Sequence, residues 1–293
     1  MIYTSSNCKK AERIEKALQG LISAGIKNIE LNSAGKHIPD ITGFLQAFKK
    51  EHGLNFLVHN YFPAPEADFV LNPASQNKII LNKTIECCKT SIRLAADLSS
   101  SIYSVHAGMR CDPVSTELSR AITQLYTAPY NDAYNTFVRS LTTLCDYALE
   151  FNLEIAVENH VLAPFNLKNG KNELLLMCRH EELLKLFEDV NRPNLKVLVD
   201  VGHLKVTAAT LSFDAGSFIE ALKGKIAIFH LSDNNGFEDT HEIIRDDSWF
   251  WGALQHFQDA VFVIESHGLT ASQIRSTQRL CRERLSFKEA AYR

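Results

Sequence analysis

Nine histidine, aspartate and glutamate residues stand out because six of them end short apolar runs and three follow such runs closely. They are His59, His106, Glu158, Asp200, His203, His230, Asp239, His241 and Glu265. Imidazole and carboxylate groups without a thiolate are suitable ligands for Zn, Mn, Co or Fe(II). Because such groups are costly to bury alone, their convergence would predict a divalent-metal site.

The apolar runs themselves recur along the whole chain and alternate with segments of helical length and period. Eight runs lie at residues 2–4, 27–32, 54–60, 101–107, 153–160, 195–201, 225–231 and 260–267. Several are continuously apolar, which is typical of a parallel strand that is covered on both faces. Eight strand–helix units without a linker predict an α/β protein with one (β/α)8 barrel domain over residues 1–293.

This barrel would explain how residues that lie two hundred positions apart could meet. The carboxyl-terminal ends of the strands converge on one mouth, and the polar residues lie at those ends. The stretches 61–75 and 108–131 are predicted to be loops over that mouth. A doubly wound open sheet is the alternative, but SSNCKK after the first run is not a glycine-rich phosphate loop.

Composition excludes several classes of protein. The 31 Lys and Arg against 34 Asp and Glu give a net charge of -3, which argues against nucleic-acid binding through a generally basic surface. Seven cysteines without a C-x-x-C motif indicate neither a disulfide scaffold nor a cysteine-ligated zinc site. No membrane span or signal peptide is visible, so we expect a cytoplasmic protein without a membrane partner, either a monomer or a homodimer.

Four side chains, two of them among the nine above, are candidates for contact with a substrate. His59 and His106 lie at strand ends, and Lys205 lies near the predicted mouth, where it could meet a phosphate. Trp249, in the segment SWFWGAL, could form one wall of a pocket.

The ordered motifs FLVHNYFPAP, YSVHAG, IAVENH, VLVDVGH, FHLSDNNG with a following D-T-H, and VFVIESH resemble the xylose isomerase-like TIM barrels. That superfamily includes sugar and sugar-phosphate isomerases and epimerases, together with endonuclease IV. The resemblance covers nearly the whole chain, and two of its branches imply different chemistry.

The ketose epimerase branch implies a single metal held by Glu158, Asp200, His230 and Glu265. Glu158 and Glu265 would also move a proton on opposite faces of a substrate carbon through an ene-diolate, and His203 would touch the substrate. The chain departs from this branch after His230, where Gly236 and Phe237 stand in the place of the usual arginine.

The endonuclease IV branch implies three zinc ions, and all nine of its ligand types have a counterpart here. Our leading hypothesis is a divalent-metal-dependent sugar or sugar-phosphate isomerase or epimerase with a small sugar as its partner. The alternatives are a multinuclear zinc phosphodiesterase of the abasic-site endonuclease type, which would bind nucleic acid, and a catalytically inactive barrel used as a binding module. The expected cofactor is one to three divalent ions, Zn or Mn, with Co or Fe as further options.

Overall fold

A computed structural model describes residues 1–32, 37–124 and 126–285 of the chain. Within these residues, eight parallel strands form a closed barrel in which each strand pairs with the next in sequence and β1 pairs with β8. The strands are β1 (Ile2–Ser5), β2 (Asn28–Leu31), β3 (Asn55–His59), β4 (Ile102–His106), β5 (Glu154–Glu158), β6 (Leu195–Asp200), β7 (Ile226–Leu231) and β8 (Val261–Ile264). The predicted (β/α)8 barrel is therefore confirmed.

Helices connect the strands and cover the outside of the barrel. They are α1 (Ile14–Ser23), α2 (Ile41–His52), α3 (Lys78–Asp97), α4 (Tyr130–Leu149), α5 (His180–Val190), α6 (Val201–Leu211), α7 (Ala215–Ala221), α8 (Trp251–Leu254) and α9 (Ala271–Arg284). In the ranges described, no helix combines the length and the apolar character that crossing a bilayer requires.

Helix α6 is the element that the sequence pattern did not predict. It starts directly at the end of β6, where the side chain of Asp200 accepts a hydrogen bond from the His203 amide at 2.8 Å and caps the helix. Most α6 residues are buried, so the segment has no polar face to produce a visible helical period. The Asp200 cap also places His203 one turn above the strand end.

The barrel interior has an apolar layer directly below the mouth. One compact cluster contains Tyr3, Leu57, Ile102, Ala156, Leu198, Ile228 and Val263. A larger cluster packs between the outer face of the barrel and the helices. Since side chains alternate along a strand, residues two positions after this apolar layer also point into the barrel, at its mouth.

The longest loop over the mouth joins β4 to α4, as predicted, and two buried side chains hold it. The Glu117 carboxylate accepts hydrogen bonds from Thr123, Gln124 and the Val114 amide, and these lower the pKa of Glu117 to about 2. The Asn166 amide group bonds to the backbone of Arg120 and Ile122. The loop is thereby tied to the segment that follows β5.

Candidate metal centre

All nine side chains singled out from the sequence meet at the mouth of the barrel, and we divide them into three groups. The first and second share Glu158, and a further cluster of Asp200, His241 and Glu265 links the second to the third. The first contains His59, His106 and Glu158, whose ligand atoms lie within 4.8 Å of one another. Nε2 of His106 is 3.1 Å and Nε2 of His59 is 3.4 Å from Glu158 Oε2. Burial lowers the pKa of His59 to about 3, and Ser104 Oγ lies 2.9 Å from its Nδ1. His59 is therefore neutral and able to ligate a metal through Nε2.

The second group lies deeper and contains Glu158, Asp200 and His230, with Glu265 beside them. Nδ1 of His230 is 2.6 Å from Glu265 Oε2 and 3.9 Å from Asp200 Oδ2. Burial raises the pKa of Asp200 to about 6, because a carboxylate loses its hydration in this interior.

The third group contains His203, Asp239 and His241, which come from α6 and from the loop after β7. Oδ2 of Asp239 is 3.1 Å from Nε2 of His203 and 2.9 Å from Nε2 of His241. Burial alone would lower the pKa of His241, but the hydrogen bond and charge of Asp239 raise it to about 9. The D-T-H motif thus brings an acid and a base together at the upper edge of the site.

Glu158 joins the three groups. Its Oε2 faces the first group, while its Oε1 lies 3.1 Å from Nδ1 of His203 in the third group. Both oxygens of one carboxylate are therefore directed at imidazoles that belong to different groups. A carboxylate in such a position can bridge two cations.

Several buried polar atoms of these groups make no hydrogen bond, although some lie within ion-pair distance of a neighbour. They are Glu158 Oε2, Asp200 Oδ2, His230 Nδ1, Asp239 Oδ1 and His241 Nδ1. Unsatisfied buried polar atoms are costly and uncommon in folded proteins. Cations among these atoms would satisfy them, so the residues present fit one or more divalent metals of the imidazole- and carboxylate-binding kind.

A cavity of about 260 Å³ lies over the groups. Six of the nine residues line it, and His59, Asp200 and His230 lie beneath. Its outer wall includes Leu118 and Arg120 from the β4–α4 loop and Phe165 from the segment after β5. The mouth is thus a covered pocket with room for a small ligand.

The sequence from residue 22 to residue 283 matches the family described as xylose isomerase-like TIM barrel. The chain belongs to this family. An uncharacterized protein of Methanocaldococcus jannaschii is 25% identical over 235 residues, which cover 78% of this chain and 69% of that relative.

Several solved structures share the fold at low sequence identity. A D-tagatose 3-epimerase-like protein superposes with a TM-score of 0.74 at 20% identity and covers 97% of both chains. D-allulose 3-epimerase from Methylomonas sp., in complex with D-allulose, has a TM-score of 0.66 at 15% identity, over 95% of this chain and 88% of its own. Structural neighbours of this family member thus include sugar epimerases.

Lys205 and Trp249 are not brought to the cavity, whereas His106 lines it and His59 lies beneath it. Lys205 projects from α6 to Asp233, where the Nζ–Oδ1 distance is 2.6 Å. Trp249 packs against the large apolar cluster outside the barrel. Neither residue is among those that line the cavity in the described part of the chain.

Sequence reasoning missed four polar residues of the site. His160 and His267 line the cavity, two positions after Glu158 and Glu265, and His267 stacks on His241 with ring centroids 4.0 Å apart. The two-residue spacing could have indicated both. Glu30 and Asn32 lie at the end of β2, and Asn32 Nδ2 donates to Glu265 Oε1 at 2.8 Å. The run KNIELN carries no local signal that separates these two residues from ordinary strand residues.

Proposed function

We propose that this protein is a multinuclear divalent-metal hydrolase that cleaves phosphate esters of small molecules. The observation that carries the proposal is that Glu158 belongs to two ligand groups and contacts His203 of the third, so that its two oxygens face imidazoles of different groups. A single-metal isomerase needs only the deepest group as metal ligands. It would leave Asp239 and His241 without a role.

The ligand set supports zinc or manganese, because imidazoles and carboxylates are mixed and no thiolate contributes. When bound, such ions polarise a phosphoryl oxygen and lower the pKa of a water molecule. The residues of the first and second groups would hold two ions on either side of Glu158, and those of the third group would hold another.

The glutamates are placed to hold cations rather than to exchange protons with a sugar carbon. Both oxygens of Glu158 lie close to imidazole nitrogens. One oxygen of Glu265 faces His230 and the other accepts a hydrogen bond from Asn32. All four carboxylate oxygens thus lie beside a side-chain nitrogen, and Glu158 Oε2, which makes no hydrogen bond, is available to a cation.

The cavity supports a small anionic substrate. Its volume of about 260 Å³ suits a compact molecule. Arg120 is the sole lysine or arginine among the described lining residues, and it is exposed. Guanidinium groups bind phosphate oxygens in a bidentate manner. We therefore favour a small phosphate ester over abasic DNA.

Metal content and phosphate-ester hydrolysis test the proposal together. Protein purified without an affinity tag or chelator would be analysed by elemental mass spectrometry and assayed with bis(p-nitrophenyl) phosphate and a panel of sugar phosphates. We expect two to three zinc or manganese ions per chain and release of p-nitrophenol or phosphate. One ion per chain without hydrolysis would overturn the proposal. A chain that binds no added metal would favour the inactive binding module.

A metal-dependent sugar or sugar-phosphate isomerase or epimerase is the second candidate. The observation that favours it is the sugar-sized cavity, which Asn7, Asn32 and Asn60 line together with Glu158 and Glu265. Amide side chains can donate to and accept from sugar hydroxyls. Incubation of ketoses and their phosphates in D2O distinguishes this reaction, because proton transfer through an ene-diolate incorporates deuterium at carbon and hydrolysis does not.

A further inference from the structure

Glu30 is a buried carboxylate that is not among the nine residues of the three ligand groups. It lies on β2 and is fully inaccessible to solvent. Its Oε2 is 3.0 Å from Nε2 of His230, a residue 200 positions later in the chain. β2 and β7 are not neighbours in the barrel, so this contact crosses its interior.

We infer that Glu30 is a positioning residue that holds the His230 ring so that the ring binds a metal through Nδ1. With Nε2 donating to Glu30, Nδ1 points to the opposite side, toward Glu265 Oε2 at 2.6 Å and Asp200 Oδ2 at 3.9 Å. A carboxylate that accepts from one imidazole nitrogen sets the tautomer and raises the basicity of the other. This inference rests on the proposed metal centre.

Direct ligation of a metal by Glu30 is the competing role. Ligand atoms of Glu30, His59 and His230 do lie within 4.8 Å of one another. However, the two nitrogens of His59 are directed elsewhere, Nε2 toward Glu158 and Nδ1 toward Ser104. The nitrogen of His230 that faces Glu30 already lies at hydrogen-bond distance from Glu30 Oε2, 3.0 Å away. Glu30 also does not line the cavity, so a metal there would have no direct contact with substrate.

The role of Glu30 can be measured as zinc affinity, independently of activity. Wild type, Glu30→Gln and Glu30→Ala would be titrated with zinc against a chromophoric chelator, and ions per chain would be counted at saturation. We expect an unchanged count and an affinity at one site that falls about 10- to 100-fold in Glu30→Ala. Glu30→Gln keeps a carbonyl acceptor for Nε2 and is expected to lose less.

Glu154→Gln is a matched control, since Glu154 is also a strand glutamate but lies at the amino-terminal end of β5, away from the mouth, where it pairs with Lys196 at 3.3 Å. Circular dichroism and thermal melting of each variant show whether it has folded. If Glu30→Ala does not fold, the role of Glu30 can still be tested in Glu30→Gln and the wild type by identifying which nitrogen of His230 binds the metal. In protein loaded with ¹¹³Cd and labelled with ¹⁵N-histidine, His230 should show coupling through Nδ1.

Each other outcome has a distinct meaning. Loss of one ion at saturating zinc in Glu30→Gln would show that Glu30 is a ligand, which overturns the positioning role. Cadmium coupling through Nε2 of His230 would overturn it as well. Unchanged zinc affinity in both variants would overturn it while leaving the proposed function intact. A wild-type chain that takes up no metal would overturn the proposed function together with this inference.

Discussion

Two adjacent layers of the barrel interior, the mouth and the layer below it, differ completely in chemistry although the same strands build both. The layer below the mouth is apolar. Two residues further along five of the strands, a potential metal ligand takes the same inward direction. The pairs are Leu57 and His59, Ala156 and Glu158, Leu198 and Asp200, Ile228 and His230, and Val263 and Glu265.

Along these five strands, the residue that stabilises the fold and the residue that could bind a metal are therefore two positions apart. The apolar layer stabilises the fold through burial and close packing. The mouth buries several carboxylates and imidazoles, which is costly without cations or complete hydrogen bonding. Substitutions in the apolar layer and substitutions at the mouth should therefore affect different measurements.

The largest effect is expected at Glu158, in the centre of the mouth. Glu158→Gln removes the charge that the three groups share, and we expect kcat/KM to fall at least about a thousandfold, since several kcal/mol of transition-state stabilisation are lost. Ion content should fall as well, while circular dichroism should remain that of the wild type. Full activity in this variant would contradict the role of Glu158 in both candidate reactions.

A deletion in the apolar layer should produce the opposite pattern. Ile102→Ala creates a cavity below the mouth and should lower the free energy of unfolding by about 2–5 kcal/mol, as measured by urea denaturation. Zinc content and kcat/KM of the folded protein should stay within about twofold of the wild type. Ile79→Ala is the control, since Ile79 is exposed on α3 and its loss should change little. Loss of zinc in Ile102→Ala would show that the apolar layer and the mouth are coupled.

Removal of the metal should destabilise the mouth without altering the apolar layer. Ligands that bind only the folded state contribute about 2.7 kcal/mol when their free concentration is 100 times Kd. For a chain of this length, that change corresponds to roughly 4–5 °C in Tm. Calorimetry with and without a chelator measures the shift, and added zinc should reverse it. A Tm that changes neither with the chelator nor with added zinc would argue against a metal centre.

The smallest effect is expected at Lys205, which lies near the mouth in sequence but pairs with Asp233 away from the cavity. Lys205→Ala should change kcat/KM less than about twofold and cost about 0–1 kcal/mol, as partly exposed ion pairs do. Arg120→Ala is the comparison, with KM expected to rise about tenfold or more through loss of a charged hydrogen bond to substrate. An equal rise in KM for Lys205→Ala would indicate that Lys205 contacts the substrate.

The sequence predicted most of the fold because continuous apolar runs are a local signal of buried parallel strands. It also predicted the nine polar residues at the mouth, because each lies at or just after the end of such a run. It did not predict α6, whose residues are mostly buried, or the contact between Glu30 and His230, which joins positions 200 residues apart. Local patterns contain no information on such contacts.

By itself, the sequence determined the alternation of strands and helices, the apolar layer and the types of side chain that end each strand. Only the tertiary structure decided that these side chains divide into three groups, that Glu158 joins them and that Lys205 turns away from the cavity. The physical reason is that the inward or outward direction of a side chain follows from the two-residue repeat of its own strand. Distances between strand ends depend instead on how the whole barrel closes.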